Sequence, residues 1–330
     1  MERLGIALGP GLSPTETVEC VRLAEQAGYE SAWIVEGHGG DQFSLLTACA
    51  FATKRIRLGT AISSVFVRTA PTIAMAAACV DHFSNGRFVL GLGSSHKVQV
   101  EIEHGIRYAD PVTRVRETVE VVRALLRDGA VSFRGKTITI EHFDLWFKPA
   151  HNSVPIYLSA LFPQMLSLCG EVAQGLLMVF ATPGALSTAV EHLSAGAARA
   201  GRDVKEIEIA SLLPASVAED REVAYERARP VLAFYVGYFP RYQRVAREAG
   251  FSAAVDSIVE ASKRGDAART HAAIPDEMVA RLTASGTPAD LRMRIAEYRR
   301  AGLALPILMP VASGPDAMRE VAETLRAGAG

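Results

Sequence analysis

The chain has 330 residues, 49% of them hydrophobic and 22% charged, with a formal net charge of −1. At this length either two domains or one (β/α) barrel with insertions is expected. The near-neutral charge gives no electrostatic case for nucleic acid or an anionic membrane surface, and no apolar run approaches the roughly 18 residues of a membrane span.

Taken in order, Arg3 to Leu8 reads as a first strand and GPGLSP as the turn beyond it. Ser13 is placed to cap a helix from Pro14 that stops at Gly28. Ser31 to Val35 is strand two, EGHGGD its loop, and Asp41 leads into a second helix, SLLTACAFAT. Ile56, Leu58, Ala61 and Ile62 form a short apolar run, too brief for a helix and typical of a strand buried on both faces. Past Gly59-Thr60 small and hydroxyl residues follow, then Arg68, and Pro71 opens an alanine-rich helix. A buried strand ending in small residues before a helix is what the floor of a cofactor site looks like, since small side chains let a flat ring lie against the backbone. Arg87 to Leu92 is strand four, between Asn85-Gly86 and GSSH, and VTRVRETVEVVRALLRDG is a long helix.

Residues 131–153 break the alternation with period-two segments around Arg134-Gly135-Lys136, which suggests a β-hairpin insertion. Pro155 to Ser159, Leu176 to Phe180 and Ile207 to Leu213 are strands five to seven, each but the last followed directly by a conventional helix. Residues 219–275 are helical throughout, most simply a cap near the active-site mouth. TPADLRMRIAEYRRAG is the next helix, Pro306 to Pro310 strand eight, and AMREVAETLRAG closes the chain. Eight strands alternating with helices predict a single (β/α)8 TIM barrel over 1–330, with insertions after strands four and seven. A doubly wound sheet is the alternative, but nothing splits the chain into halves.

Reactive groups of a barrel gather where strands end and helices begin. Glu36, His38 and Asp41 end strand two; Ser63, Ser64 and Arg68 follow strand three; Ser94, Ser95, His96 and Lys97 follow strand four; Thr182 follows strand six. Hydroxyls and free backbone N–H groups at helix starts suit a phosphate-bearing cofactor. GLGSSH lacks the third glycine of a dinucleotide fingerprint, no GxSxG elbow is present, and the scattered histidines show no HExxH spacing, so no metal site is expected. The four cysteines sit singly with no CxxC pair, and MERLGIALG has no signal-peptide layout, which reads as a reduced, cytoplasmic protein.

ERLGIALGPGLSPTETVECVRLAEQAGYESAWIVEGHGG, continuing through IRLGTAISSVFVRTAP to FVLGLGSS, resembles the luciferase-like flavin- or deazaflavin-dependent oxidoreductases. Within them it is most similar to the coenzyme F420-dependent branch that includes methylenetetrahydromethanopterin reductase. PIYLSALFPQMLSLCGEVAQG and IPDEMVARLTASGTPADLRMRIAEYRRAG agree with it. The resemblance implies a (β/α)8 barrel, a homodimer, and a cofactor ring at the C-terminal ends of the strands, backed by a non-prolyl cis peptide that maps to Ala61–Ile62. Ser63 and Ser64 lie just beyond. The strand-four turn maps to Gly93, Ser94 and Ser95, and the cofactor-tail region to Ser159 through Gln164, including Ala160 and Leu161, with Thr182 added.

Two departures stand out. Many relatives place Asp-His directly after strand two, where this chain has Glu36-Gly37-His38, and Gly-Pro-Lys after strand five, where it has Phe162-Pro163-Gln164. The implied activity is hydride transfer between F420 and a small organic substrate. His38, Glu36 or His96 then handles the accompanying proton, and Arg68 and Lys97 are available to the cofactor tail or an anionic substrate. Phe234, Tyr235, Tyr238, Phe239 and Tyr242 read either as an aromatic lid or as helix packing. The rival readings are an FMN-dependent monooxygenase and a non-catalytic flavin-binding barrel.

Overall fold

The computed structural model describes residues 2–330. β1 (Gly5–Leu8) leads to α1 (Pro14–Gln26), β2 (Ser31–Ile34) to α2 (Gln42–Ala52), and β3 (Arg57–Thr60) with the two-residue β4 (Ser63–Ser64) to α3 (Ala70–Ser84). β5 (Phe88–Gly93) is followed by a π-helical turn, Gln99–Glu103, and by α4 (Pro111–Asp128). A hairpin of β6 (Ala130–Arg134) and β7 (Thr139–Asp144) precedes β8 (Ile156–Ser159) and α5 (Pro163–Val172). β9 (Gly175–Val179), α6 (Pro183–Arg199) and β10 (Glu208–Ala215) come next. Five helices then follow: α7 (Arg221–Tyr238), α8 (Pro240–Glu248), α9 (Ser252–Lys263), α10 (Ala267–Ala272) and α11 (Asp276–Leu282). The chain ends with α12 (Pro288–Arg300), β11 (Leu305–Pro310) and α13 (Ala317–Ala329).

β1, β2, β3, β5, β8, β9, β10 and β11 pair in parallel in that cyclic order, and the β3–β5 ladder, Leu58 opposite Phe88, closes the cylinder. This is a (β/α)8 barrel. Each strand is buried on both faces, inward by the barrel and outward by helices, which is why the strands read as short continuous apolar runs. Inward positions at alternate residues, among them Trp33, Tyr157, Leu177, Leu212, Leu305 and Ile307, fill the interior. Gly59 marks where that interior is tightest: a Cβ there would lie 2.3 Å from the Trp33 ring. The helices start where short polar side chains satisfy free N–H groups. Ser13 and Glu16 form a capping box on α1, Asp41 caps α2, and Thr69 caps α3.

The hairpin follows α4, the long helix that the sequence reading places before it, and folds back along that helix, so the insertion counted after strand four does not extend the loop at the strand's end. Its turn is fastened by the Glu117 carboxylate, which accepts from the backbone N–H groups of Lys136, Thr137 and Ile138. The helical block extends past residue 275 to include α11. It has a core of its own, built from Leu232, Phe239, Tyr242, Val255, Ile258 and Met278, and the barrel contributes Phe180 to it. Its two ends are stitched together: Ala284 N–H donates to the Pro214 carbonyl at 2.7 Å and Gly286 N–H to the Ser216 carbonyl at 3.0 Å.

Candidate active site

A cavity of about 320 Å³ opens at the C-terminal end of the barrel. Leu177, Leu212 and Met309, inward residues of β9, β10 and β11, form its floor. The third strand supplies one wall. β3 ends at Thr60, whose hydroxyl donates to the Gly91 carbonyl at 2.8 Å and accepts from the Gly91 N–H, and the next peptide bond, Ala61–Ile62, is cis. Ala61 and Ile62 border the cavity there. Ile62 lies against Gly93, where a Cβ would come within 2.8 Å of its side chain, so this wall admits no larger residue. Gly93, Ser94 and Ser95 continue from β5, with Ser95 left-handed at φ 53°, and Ser159, Ala160, Leu161 and Gln164 continue from β8. Opposite the floor, Phe234 and Tyr235 of α7, Phe239, and Arg241 and Tyr242 of α8 close the mouth.

Of the candidate proton-handling residues, Glu36 and His96 line this cavity and His38 does not. His38 turns outward, with its side chain 78% exposed and Nε2 3.0 Å from Glu103 on the π-helical turn. The Glu36 carboxylate accepts from the Ser64 N–H and from Arg68 Nε, both at 2.7 Å. Arg68 reaches Asp41 as well, at 2.5 Å, so its charge is spent on two carboxylates of its own chain and it does not line the cavity. His96 packs its ring against Phe239 at 4.4 Å and Tyr242 at 5.2 Å between centroids. Burial, and then the positive charge of Arg241, push its pKa down to about 4, so the imidazole is neutral at pH 7.

The remaining sequence candidates divide by geometry. Ala61, Ile62, Gly93, Ser94, Ser95, Ser159, Ala160, Leu161 and Gln164 border the cavity. Ser63 and Ser64 are buried behind the wall. Thr182 spends its hydroxyl capping α6, accepting from Ala185 N–H at 3.3 Å. Lys97 points to solvent beside Glu101, at 3.7 Å. Of the aromatic set, Tyr235, Phe239 and Tyr242 serve as lining and as packing at once, Phe234 lines the cavity while half exposed, and Tyr238 is exposed. Arg241 escaped the sequence reading altogether. Its guanidinium donates to the Ser94 hydroxyl at 3.4 Å, the Ser95 carbonyl at 3.0 Å and the Tyr108 hydroxyl at 2.6 Å. The floor residues were missed too, although strand alternation marks Leu177, Leu212 and Met309 as inward. Among the described residues no group of three His, Cys, Asp or Glu is placed to hold a metal ion.

The donor set suits a long ligand, apolar at one end and polar at the other. Apolar side chains surround the barrel axis, while serines, Gln164 and one cation border the side between the ends of β5 and β8.

Comparison with known proteins gives a consistent picture. The family model for luciferase-like monooxygenases matches residues 2–305. A 5,10-methylenetetrahydromethanopterin reductase of Archaeoglobus fulgidus is 32% identical over 326 residues, covering 97% of this chain and 96% of the relative. A putative coenzyme F420-dependent oxidoreductase of Mycobacterium tuberculosis is 30% identical, covering 97% and 98%. Among solved structures, a coenzyme F420-dependent tetrahydromethanopterin reductase from Methanopyrus kandleri superposes with a TM-score of 0.88 at 27% identity, over 99% of this chain and 98% of that one.

Proposed function

Because this chain belongs to the luciferase-like monooxygenase family, we propose that it is an F420-dependent oxidoreductase transferring a hydride to or from a small organic substrate. The observation that carries the cofactor assignment is end-to-end similarity to F420-dependent reductases, together with a cavity whose lining suits such a group. When bound, the deazaflavin supplies the hydride chemistry through C5 of its ring.

The chain's own residues position, exclude water and hold protons. Ala61, Ile62 and Gly93 form the ledge that supports the ring, and Ser94, Ser95, Ser159, Ala160, Leu161 and Gln164 line the path of the tail. Phe234, Phe239 and Tyr242 keep water from the reacting face. His96, neutral, offers a hydrogen bond to the substrate rather than a charge. Glu36, which accepts from Arg68 and the Ser64 N–H, orients the loop after β2 and borders the cavity. His38 has no part in the reaction in this reading.

The protein works in the cytoplasm as a homodimer. Four free cysteines support the first point. Supporting the second, Phe51 and Phe83 pack at a tilt, 5.1 Å between centroids, on the α2–α3 face, 63% and 44% exposed.

The test is a side-by-side titration of the purified apo-protein with F420, FMN and NADPH, followed by fluorescence. Reduced F420 is then mixed with secondary carbonyl compounds and cyclic imines, and its reoxidation is monitored. Saturable F420 binding and substrate-dependent reoxidation are expected. Tight FMN binding with oxygen consumption and no F420 binding would instead identify a flavin monooxygenase.

A further inference from the structure

We propose that Arg241, carried into the cavity by α8, receives the phosphodiester of the bound deazaflavin cofactor, so that the helical insertion completes the cofactor site from above. This rests on the cofactor assignment above. Arg241 is the only lysine or arginine that lines the cavity among the described residues. No described carboxylate lies within ion-pair distance of it, and the groups it touches, the Ser94 hydroxyl, the Ser95 carbonyl and the Tyr108 hydroxyl, are all neutral. The cations that sequence inspection favoured are committed or remote: Arg68 holds Glu36 and Asp41, and Lys97 faces solvent. The neighbouring Arg244 binds Glu248 at 2.7 Å and lies over the Phe162 ring at 4.4 Å.

A half-buried guanidinium without a counter-charge has lost hydration and gained only neutral acceptors, so an oxyanion is the ligand it is best able to bind. Its fork also matches two oxygens of one phosphate. Position selects the source of that anion. Arg241 bonds to the turn after β5, on the polar side of the cavity and away from the floor of Leu177, Leu212 and Met309. That turn borders the same cavity as Ser159, Ala160, Leu161 and Gln164, the residues proposed above to line the path of the tail. Ser94 and Tyr108, which now share the guanidinium, are free to donate their hydroxyl protons to the same oxyanion.

The full-length protein and its Arg241→Gln and Arg241→Lys variants are titrated, by fluorescence, with F420 and with 8-hydroxy-5-deazariboflavin. The second ligand keeps ring and ribityl chain and lacks the phosphodiester. Arg241→Gln is expected to weaken F420 binding by about 10- to 100-fold while leaving the deazariboflavin within about twofold. Arg241→Lys should recover part of the F420 affinity, and the salt dependence of F420 binding should flatten in the glutamine variant. Circular dichroism and thermal unfolding check that both variants fold. Equal weakening of the two ligands would assign Arg241 a purely structural role and overturn the proposal. So would unchanged binding of both, including the case where Arg241→Gln raises only the KM of an anionic substrate. If the unaltered protein binds neither deazaflavin, the cofactor assignment itself fails.

Discussion

At the scale of single residues, the site depends on which charges are already matched. Arg68 is shared between two carboxylates, Glu36 and Asp41, whereas Arg241 stands among neutral groups and adds to burial in depressing the basicity of its neighbour His96. The protonation of His96 therefore reports on the cavity. Its pKa in the folded chain lies below the ordinary value of 6.5, so the unfolded chain takes up the proton first. The stability linked to this group is complete above about pH 6.5 and is lost as the pH falls toward 4. His96→Asn should remove that limb from a series of urea unfolding curves recorded between pH 7 and pH 4. An identical limb in the variant would show that His96 is not held neutral by its surroundings. His96 and Glu36 were legible in the sequence because they directly follow strands. His38 was equally conspicuous, but two glycines beside it let the loop turn the ring to solvent. Arg241 was not legible, because an arginine on a polar, amphipathic helix looks like any solvated one.

At the scale of elements, the strand and helix order was readable because buried parallel strands and capped amphipathic helices leave different periodicities. What the pattern does not carry is the connection between elements. The hairpin signal and its place after the long helix were both plain, yet sequence alone did not say that the hairpin folds back along α4, tied to it by Glu117. The break between β3 and β4 was visible only as a change from apolar to small residues. Gly59, in the middle of β3, is the place where that strand is least tolerant. Gly59→Ala should cost about 2–3 kcal/mol, because the added methyl meets the Trp33 ring, itself locked inside the barrel. The urea midpoint measures this, and a loss below about 0.5 kcal/mol would mean that Trp33 has room to shift.

At the scale of the whole molecule, two cores meet at the cavity: the barrel with its shell of helices, and the insertion of α7 to α11. Phe180 belongs to the second core although it directly follows β9. Two bodies with separate cores are expected to open at different free energies. Hydrogen–deuterium exchange should show α8 and α9 exchanging sooner than β1, β10 and β11, with α8 slowing when F420 is added. Uniform protection of both bodies in the free protein would argue against separate opening. The hydrogen bonds that join residues 214–216 to 284–286 have a further consequence. The polypeptide departs from the cylinder and rejoins it at almost one point, so the intervening segment is a graftable cassette. Exchanging it between relatives should retune substrate choice while the ledge of Ala61, Ile62 and Gly93 beneath is inherited unchanged.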